Sequence, residues 1–200
     1  SKGEPVKAAL EEVMDKSMSY KGKRLEDRYV LQAVRAMFTL KRYGQIDSLW
    51  DARKGHLKDG VIHNMTLGYV AGAAYRTGDK ERALAYYKSK GDLKSLYDHY
   101  STEGTYSSLL DFAAVNLPDG KEVPELLQDV VGRMEVSACD SYSPEVDTVK
   151  AREYMNICLK GAGNARAPKV WYYSASFLAD LSGDPVMALR FLRKAESARG

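Results

Sequence analysis

Apolar residues recur at helical spacing along almost the whole chain. One stripe runs from Glu4 to Tyr20 and a second from Glu26 to Leu40, each with apolar positions three and four residues apart, which places them on one helical face. The same pattern continues over 46–57, 62–77, 80–90, 93–100, 106–116, 122–136, 145–160, 167–181 and 185–198. No alternation of strand length interrupts it. The sequence therefore predicts an all-α protein of about 10–11 helices.

Three Gly-Asp dipeptides separate neighbouring helical stretches, at Gly78-Asp79, Gly91-Asp92 and Gly183-Asp184. Glycine suits the left-handed position that ends a helix, and aspartate supplies the side-chain oxygen that caps the next one. Pro185 then suits a first helical position. Turns this short force neighbouring helices to lie antiparallel, so the pattern favours a series of helical hairpins.

The turns at Gly78 and Gly183 are followed by the same pattern: three residues, then Ala-Leu, one residue, an aromatic, a bulky apolar residue and a basic one. The two glycines are about 105 residues apart, close to three repeat units of about 34. A further turn at Tyr43-Gly44 lies about 34 residues before Gly78, which makes Gly44 the predicted equivalent.

At these residues the chain resembles the tetratricopeptide repeat family, in which small side chains let paired helices approach closely. The matching small residues are Ala71, Ala74, Ala83, Ser176, Ala179, Ala188 and Ala195. The resemblance is clearest over 64–90 and 169–198, weaker over 28–55, and least over 101–143, which is expected to be irregular. It implies one domain over 1–200, an α-α superhelix built as a solenoid of antiparallel helical hairpins.

The resemblance also implies a concave groove lined by the first helix of each hairpin. The matching positions are Phe38, Lys41, Arg42, Tyr75, Arg76, Tyr173 and Phe177. Aromatic rings and guanidinium groups suit an extended peptide, because rings give contact area at low entropy cost and Arg binds carboxylates with two hydrogen bonds. The alternative, in which Tyr75, Tyr173 and Phe177 only pack between hairpins, stays open.

The charge of the chain argues against nucleic acid as a partner, and its distribution shows one acidic segment. The net charge of +3 is too small for the basic surface that nucleic-acid binding requires. Residues 101–150 carry a net charge of −7 between basic flanks. This acidic segment is interpreted either as a surface facing a partner or as ordinary solvated helix faces.

No catalytic motif is present in the sequence. The histidines are scattered, no phosphate-binding loop occurs, and Gly161-Ala162-Gly163-Asn164 is interpreted as a helix stop. Cys139 and Cys158 have no zinc-ligand spacing, and either a disulfide between them or two separate thiols stays open. No cofactor, metal or membrane-spanning segment is expected.

The resulting hypothesis is a non-enzymatic module that binds another protein or a peptide, as an adaptor or assembly factor. Two alternatives remain: a small-ligand or enzyme module with a pocket in 101–143, and a structural subunit that is exported or lipid-anchored. The chain begins at Ser1, which is expected if a preceding segment was removed, and the compartment stays open between cytoplasm and export.

Overall fold

A computed structural model describes residues 4–139 and 147–199, with side chains described over 4–135 and 147–199. The described residues form helices and turns and no strand, which confirms the all-α prediction. The helices are α1 (Glu4–Met18), α2 (Glu26–Thr39), α3 (Tyr43–Arg53), α4 (Val61–Arg76), α5 (Lys80–Lys90), α6 (Leu93–Glu103), α7 (Tyr106–Asn116), α8 (Glu122–Cys139), α9 (Thr148–Asn164), α10 (Lys169–Leu181) and α11 (Pro185–Ser197). A short 3-10 helix, Lys54–His56, follows α3. Within these described ranges, no helix is long and apolar enough to cross a membrane.

The three Gly-Asp turns have the predicted geometry. Gly78, Gly91 and Gly183 all have positive φ, at 87°, 68° and 79°. In each case the following aspartate caps the next helix, with its side chain accepting a hydrogen bond from the backbone N–H three residues on. A glycine and an aspartate therefore act together to end one helix and begin the next.

The turn between α2 and α3 differs from the prediction. The left-handed residue is Lys41, with φ at 59°, whereas Gly44 lies in the first turn of α3. The Arg42 N–H donates to the Met37 carbonyl at 2.8 Å, the closing bond that the Gly-Asp turns also make. The prediction that the repeat turn lies at Gly44 was therefore wrong. The left-handed residue that ends α2 is Lys41, and the closing backbone hydrogen bond forms there without a glycine.

The interpretation of Gly161 to Asn164 as a helix stop was also wrong, since α9 continues through all four residues. Gly161 is buried, and a Cβ atom there would overlap the indole ring of Trp171. The Trp171 Nε1–H in turn donates to the Pro118 carbonyl at 2.9 Å. Tertiary packing on Trp171 thus explains a glycine inside a helix, and it outweighs the low helix propensity of glycine.

The chain folds into two compact units, Ser1–Leu96 and Tyr97–Gly200. In the first unit α2 is central and contacts α1, α3 and α4, while α5 packs on α4. The core is formed by buried side chains of these helices, including Val34, Met37, Ile46, Trp50 and Val70. The prediction of one domain over 1–200 stays a prediction.

In the second unit α10 is the central helix, in contact with α8, α9 and α11, and α9 also packs on α7. Its core includes Leu110, Leu127, Cys158, Trp171 and Leu178. The loop before α8 is tied down by Asp119, whose carboxylate accepts hydrogen bonds from the backbone N–H groups of Arg166 and Ala167. These contacts fix the position of α8 beside α10.

Candidate functional site

An open groove of about 270 Å³ lies between α8 and α10 in the second unit. We call it the α8–α10 groove. Its lining consists of Pro124, Leu127, Gln128 and Val131 from α8, and of Val170, Tyr173, Ser174 and Phe177 from α10. The sequence predicted Tyr173 and Phe177 as groove residues, and the structure places both of them in this groove.

The groove arises from matched helical spacing on its two walls. Each helix contributes positions i, i+3, i+4 and i+7 to the lining, which is one face over two helical turns. The adjoining faces of the same helices are buried in the core, through Val123 and Val130 of α8 and Ala175 and Leu178 of α10. Core packing on one face therefore holds the groove face in position.

The lining is apolar with a few polar atoms and contains no charged side chain. Gln128, Ser174 and Tyr173 supply an amide and two hydroxyl groups. Val170 and Tyr173 are each 42% exposed, so apolar surface is left uncovered. Such a surface suits the burial of an apolar side chain from a ligand, whereas the eight residues contain no acid–base pair for catalysis.

Sequence reasoning missed the α8 wall of this groove. The signal was present, because Pro124, Leu127, Gln128 and Val131 repeat the spacing of Val170, Tyr173, Ser174 and Phe177. In α8 one apolar face packs in the core and a second apolar face lines the groove. A helix with two apolar faces therefore indicates a second contact surface.

The first unit brings together two other predicted site residues, Phe38 and Arg76. The Arg76 guanidinium lies 4.7 Å from the centre of the Phe38 ring and 5.8 Å from that of Tyr43. Phe38 also makes an edge contact with Tyr69, and Arg76 donates to the Gly72 carbonyl at 3.0 Å. We call these five residues the Phe38–Arg76 cluster. Cation–π contact holds the guanidinium over the rings.

The remaining predicted site residues of the first unit are not part of this cluster. Arg42 forms an ion pair with Glu11 at 2.5 Å. This ion pair links α1 to the turn that follows α2. Lys41 is exposed at the left-handed position of the turn. Tyr75 is 38% exposed at the end of α4.

No family model, curated protein or solved structure matches the chain. Function is therefore inferred from its own residues and their geometry.

Outside the groove, Arg82 on α5 of the first unit forms an ion pair with Asp51 on α3. Arg82 donates to the Asp51 carboxylate at 2.7 Å and to the Tyr86 hydroxyl at 2.9 Å, and these bonds raise the pKa of Arg82. Burial raises the pKa of the neighbouring Asp47 carboxyl. An arginine already bound to two partners stabilises the contact between α3 and α5 and is poorly placed for chemistry on a ligand.

The structure describes one of the two cysteines in full. The Cys158 thiol is free and buried, and burial raises its pKa to about 12, so it is an unreactive core residue. The Cys139 side chain lies outside the described residues. Because the Cys158 thiol is free, the structure does not contain the disulfide between the two cysteines. Over the described ranges, no group of three His, Cys, Asp or Glu residues is arranged to hold a metal ion.

Proposed function

We propose that this protein is a non-enzymatic helical-repeat module, similar in arrangement to tetratricopeptide repeats, that binds a peptide segment of another protein in the α8–α10 groove. The observation that carries the proposal is the exposed apolar lining of this groove. Two of its residues, Tyr173 and Phe177, are the aromatic positions that the repeat resemblance indicates for ligand contact.

Helix contacts within each unit support the repeat arrangement. In the first unit α2 contacts α4, and in the second α7 contacts α9 and α8 contacts α10. Contacts between every second helix are typical of stacked hairpins. Close approach within a hairpin is seen where the Ser176 hydroxyl donates to the Ala188 carbonyl of α11 at 2.7 Å.

The Phe38–Arg76 cluster, with Tyr75 beside it in sequence, is the second contact surface that we assign to peptide binding. It combines ring surface with a guanidinium group whose only hydrogen bond in the described structure is to the Gly72 carbonyl. Such a group retains donors for a carboxylate of the peptide.

Peptide selection from a displayed random library tests the function of the groove. We expect enriched peptides to bind the intact protein and to lose at least about tenfold in affinity when Phe177→Ala or Val131→Asp alters the groove, since anchor residues carry most binding energy. Leu189→Ala is the matched control, because Leu189 is exposed on α11 outside the groove. Fluorescence anisotropy gives the affinities, and circular dichroism checks folding. Equal affinity for the groove variants and the control would reject the groove as the binding site.

The same measurement tests the first unit. The double variant Tyr75→Ala, Arg76→Ala should weaken peptide capture while helicity is unchanged, because both side chains are exposed at the end of α4. Unchanged capture would limit the proposed contact surface to the second unit.

A small apolar ligand is the second candidate for the α8–α10 groove. The volume of about 270 Å³ is close to the lower end of ligand pockets, about 300–1000 Å³, and the α8 wall belongs to the segment 101–143. A thermal-shift screen with small apolar compounds distinguishes a small ligand from a peptide as the occupant of the groove. Stabilisation that Phe177→Ala removes, together with no enriched peptide, would favour the small ligand.

A further inference from the structure

The rim of the α8–α10 groove, one helical turn beyond its lining, carries two exposed carboxylates. Glu135 continues the Gln128 and Val131 stripe of α8 by one helical turn, and Asp180 follows Phe177 by three residues on α10. Between described residues, no ion pair engages either of these two side chains. Their negative charge is therefore available to a ligand in the groove.

The basic side chains on the two helices do not neutralise this rim. Arg133 is paired with Asp129 at 3.2 Å and stacked 4.3 Å from the Tyr106 ring centre. Lys169, at the start of α10, is the other basic residue of these two helices in the described structure.

The lining also discriminates between an extended and a helical ligand. An extended peptide would bring unpaired backbone N–H and C=O groups against an apolar floor, and each unpaired buried group is costly. A helix satisfies its own backbone hydrogen bonds and presents side chains at i, i+3, i+4 and i+7. The lined part of α8, from Pro124 to Val131, is about 10 Å long at about 1.5 Å per residue, which matches two turns of a helix.

We propose that the α8–α10 groove binds a short amphipathic helix of a partner protein, with its apolar stripe on the groove floor and Lys or Arg side chains against Glu135 and Asp180. This inference rests on the proposed peptide-binding function and specifies the chemistry of the partner.

Two synthetic amphipathic helical peptides test the inference. Both carry the same leucine stripe at i, i+3, i+4 and i+7, and the polar positions are all lysine in one and all glutamate in the other. By fluorescence anisotropy at low salt, we expect the lysine peptide to bind about tenfold more tightly, because two surface charge contacts of modest strength multiply. The preference should decrease as salt is raised.

A charge-reversed variant locates the effect on the rim. Glu135→Lys with Asp180→Lys should lose about tenfold in affinity for the lysine peptide. The matched control, Glu81→Lys with Glu196→Lys, changes the net charge equally at two exposed positions outside the groove and should retain affinity. Val131→Asp should weaken both peptides, which ties binding to the groove floor.

The outcomes separate the partner chemistry from the proposed function. Binding of both peptides with equal affinity, or loss of affinity in the control variant, would overturn the basic-partner inference and leave peptide binding in place. Binding of neither peptide, with enriched library peptides also absent, would overturn both. A dimer that forms without added peptide, and that Val131→Asp dissociates in sedimentation, would assign the groove to a second copy of the chain and also overturn the inference.

Discussion

At the scale of single residues, the left-handed position after α2 shows how an unfavourable residue is tolerated. Side chains other than glycine strain the backbone at positive φ, and Lys41 has φ at 59°. The three corresponding helix ends use Gly78, Gly91 and Gly183. The lysine is therefore a local cost that the closing hydrogen bond from Arg42 to Met37 helps to offset.

Replacement of Lys41 by glycine is expected to stabilise the fold. Relief of the left-handed strain stabilises the folded state by about 1–2 kcal/mol. The greater conformational freedom of glycine stabilises the unfolded chain by about 0.4–1 kcal/mol and offsets part of this gain. The free energy of unfolding should rise by about 0.5–1 kcal/mol, measured in urea. Lys41→Ala keeps the strain and should give no increase. An equal gain from alanine would show that the lysine side chain, and not the backbone, is responsible.

At the scale of helices, packing depends on small residues at the points of closest approach. Ala71 and Ala74 of α4 and Ala83 of α5 have no exposed surface, and α4 and α5 form one of the closest pairs of helices in the first unit. A larger side chain at such a position has no free space to occupy.

Ala83→Trp should therefore destabilise the protein by about 1–3 kcal/mol through overpacking. Ala85 lies on the same helix and is exposed, so Ala85→Trp is the matched control and should stay within about 0.5 kcal/mol of the parent. Urea unfolding of both variants gives the comparison. A similar loss for both would mean that helix propensity, and not the buried contact, determines the effect.

Features encoded by neighbouring residues could be predicted from the sequence, and those encoded by distant ones could not. The helices and the Gly-Asp turns depend on local periodicity and capping, and both are confirmed. The role of Gly161 depends on Trp171 in the next helix, and so the glycine was interpreted as a helix stop. Tyr173 and Phe177 were predicted by comparison of repeats, whereas the α8 wall opposite them could be identified only from the packing of α8 beside α10.

At the scale of the whole molecule, each of the two compact units contains its own buried cluster. Ile46, Trp50 and Val70 belong to the first, and Leu110 and Trp171 belong to the second. Separate cores are the physical basis for separate cooperative units, which differs from the single domain that the sequence predicts over 1–200.

Hydrogen–deuterium exchange with a core variant tests whether the units open independently. Ile46 is fully buried, and Ile46→Ala should destabilise the first unit by about 2–5 kcal/mol. Amide exchange in α2, α3 and α4 should then accelerate, while exchange in α7, α9 and α10 stays at the rate of the parent protein. Leu110→Ala is the reciprocal variant, because Leu110 is equally buried in the second unit, and it should produce the opposite pattern. Acceleration throughout the chain by either variant would show that the two cores unfold together and would support the single domain, since a local cavity then lowers the stability of every helix.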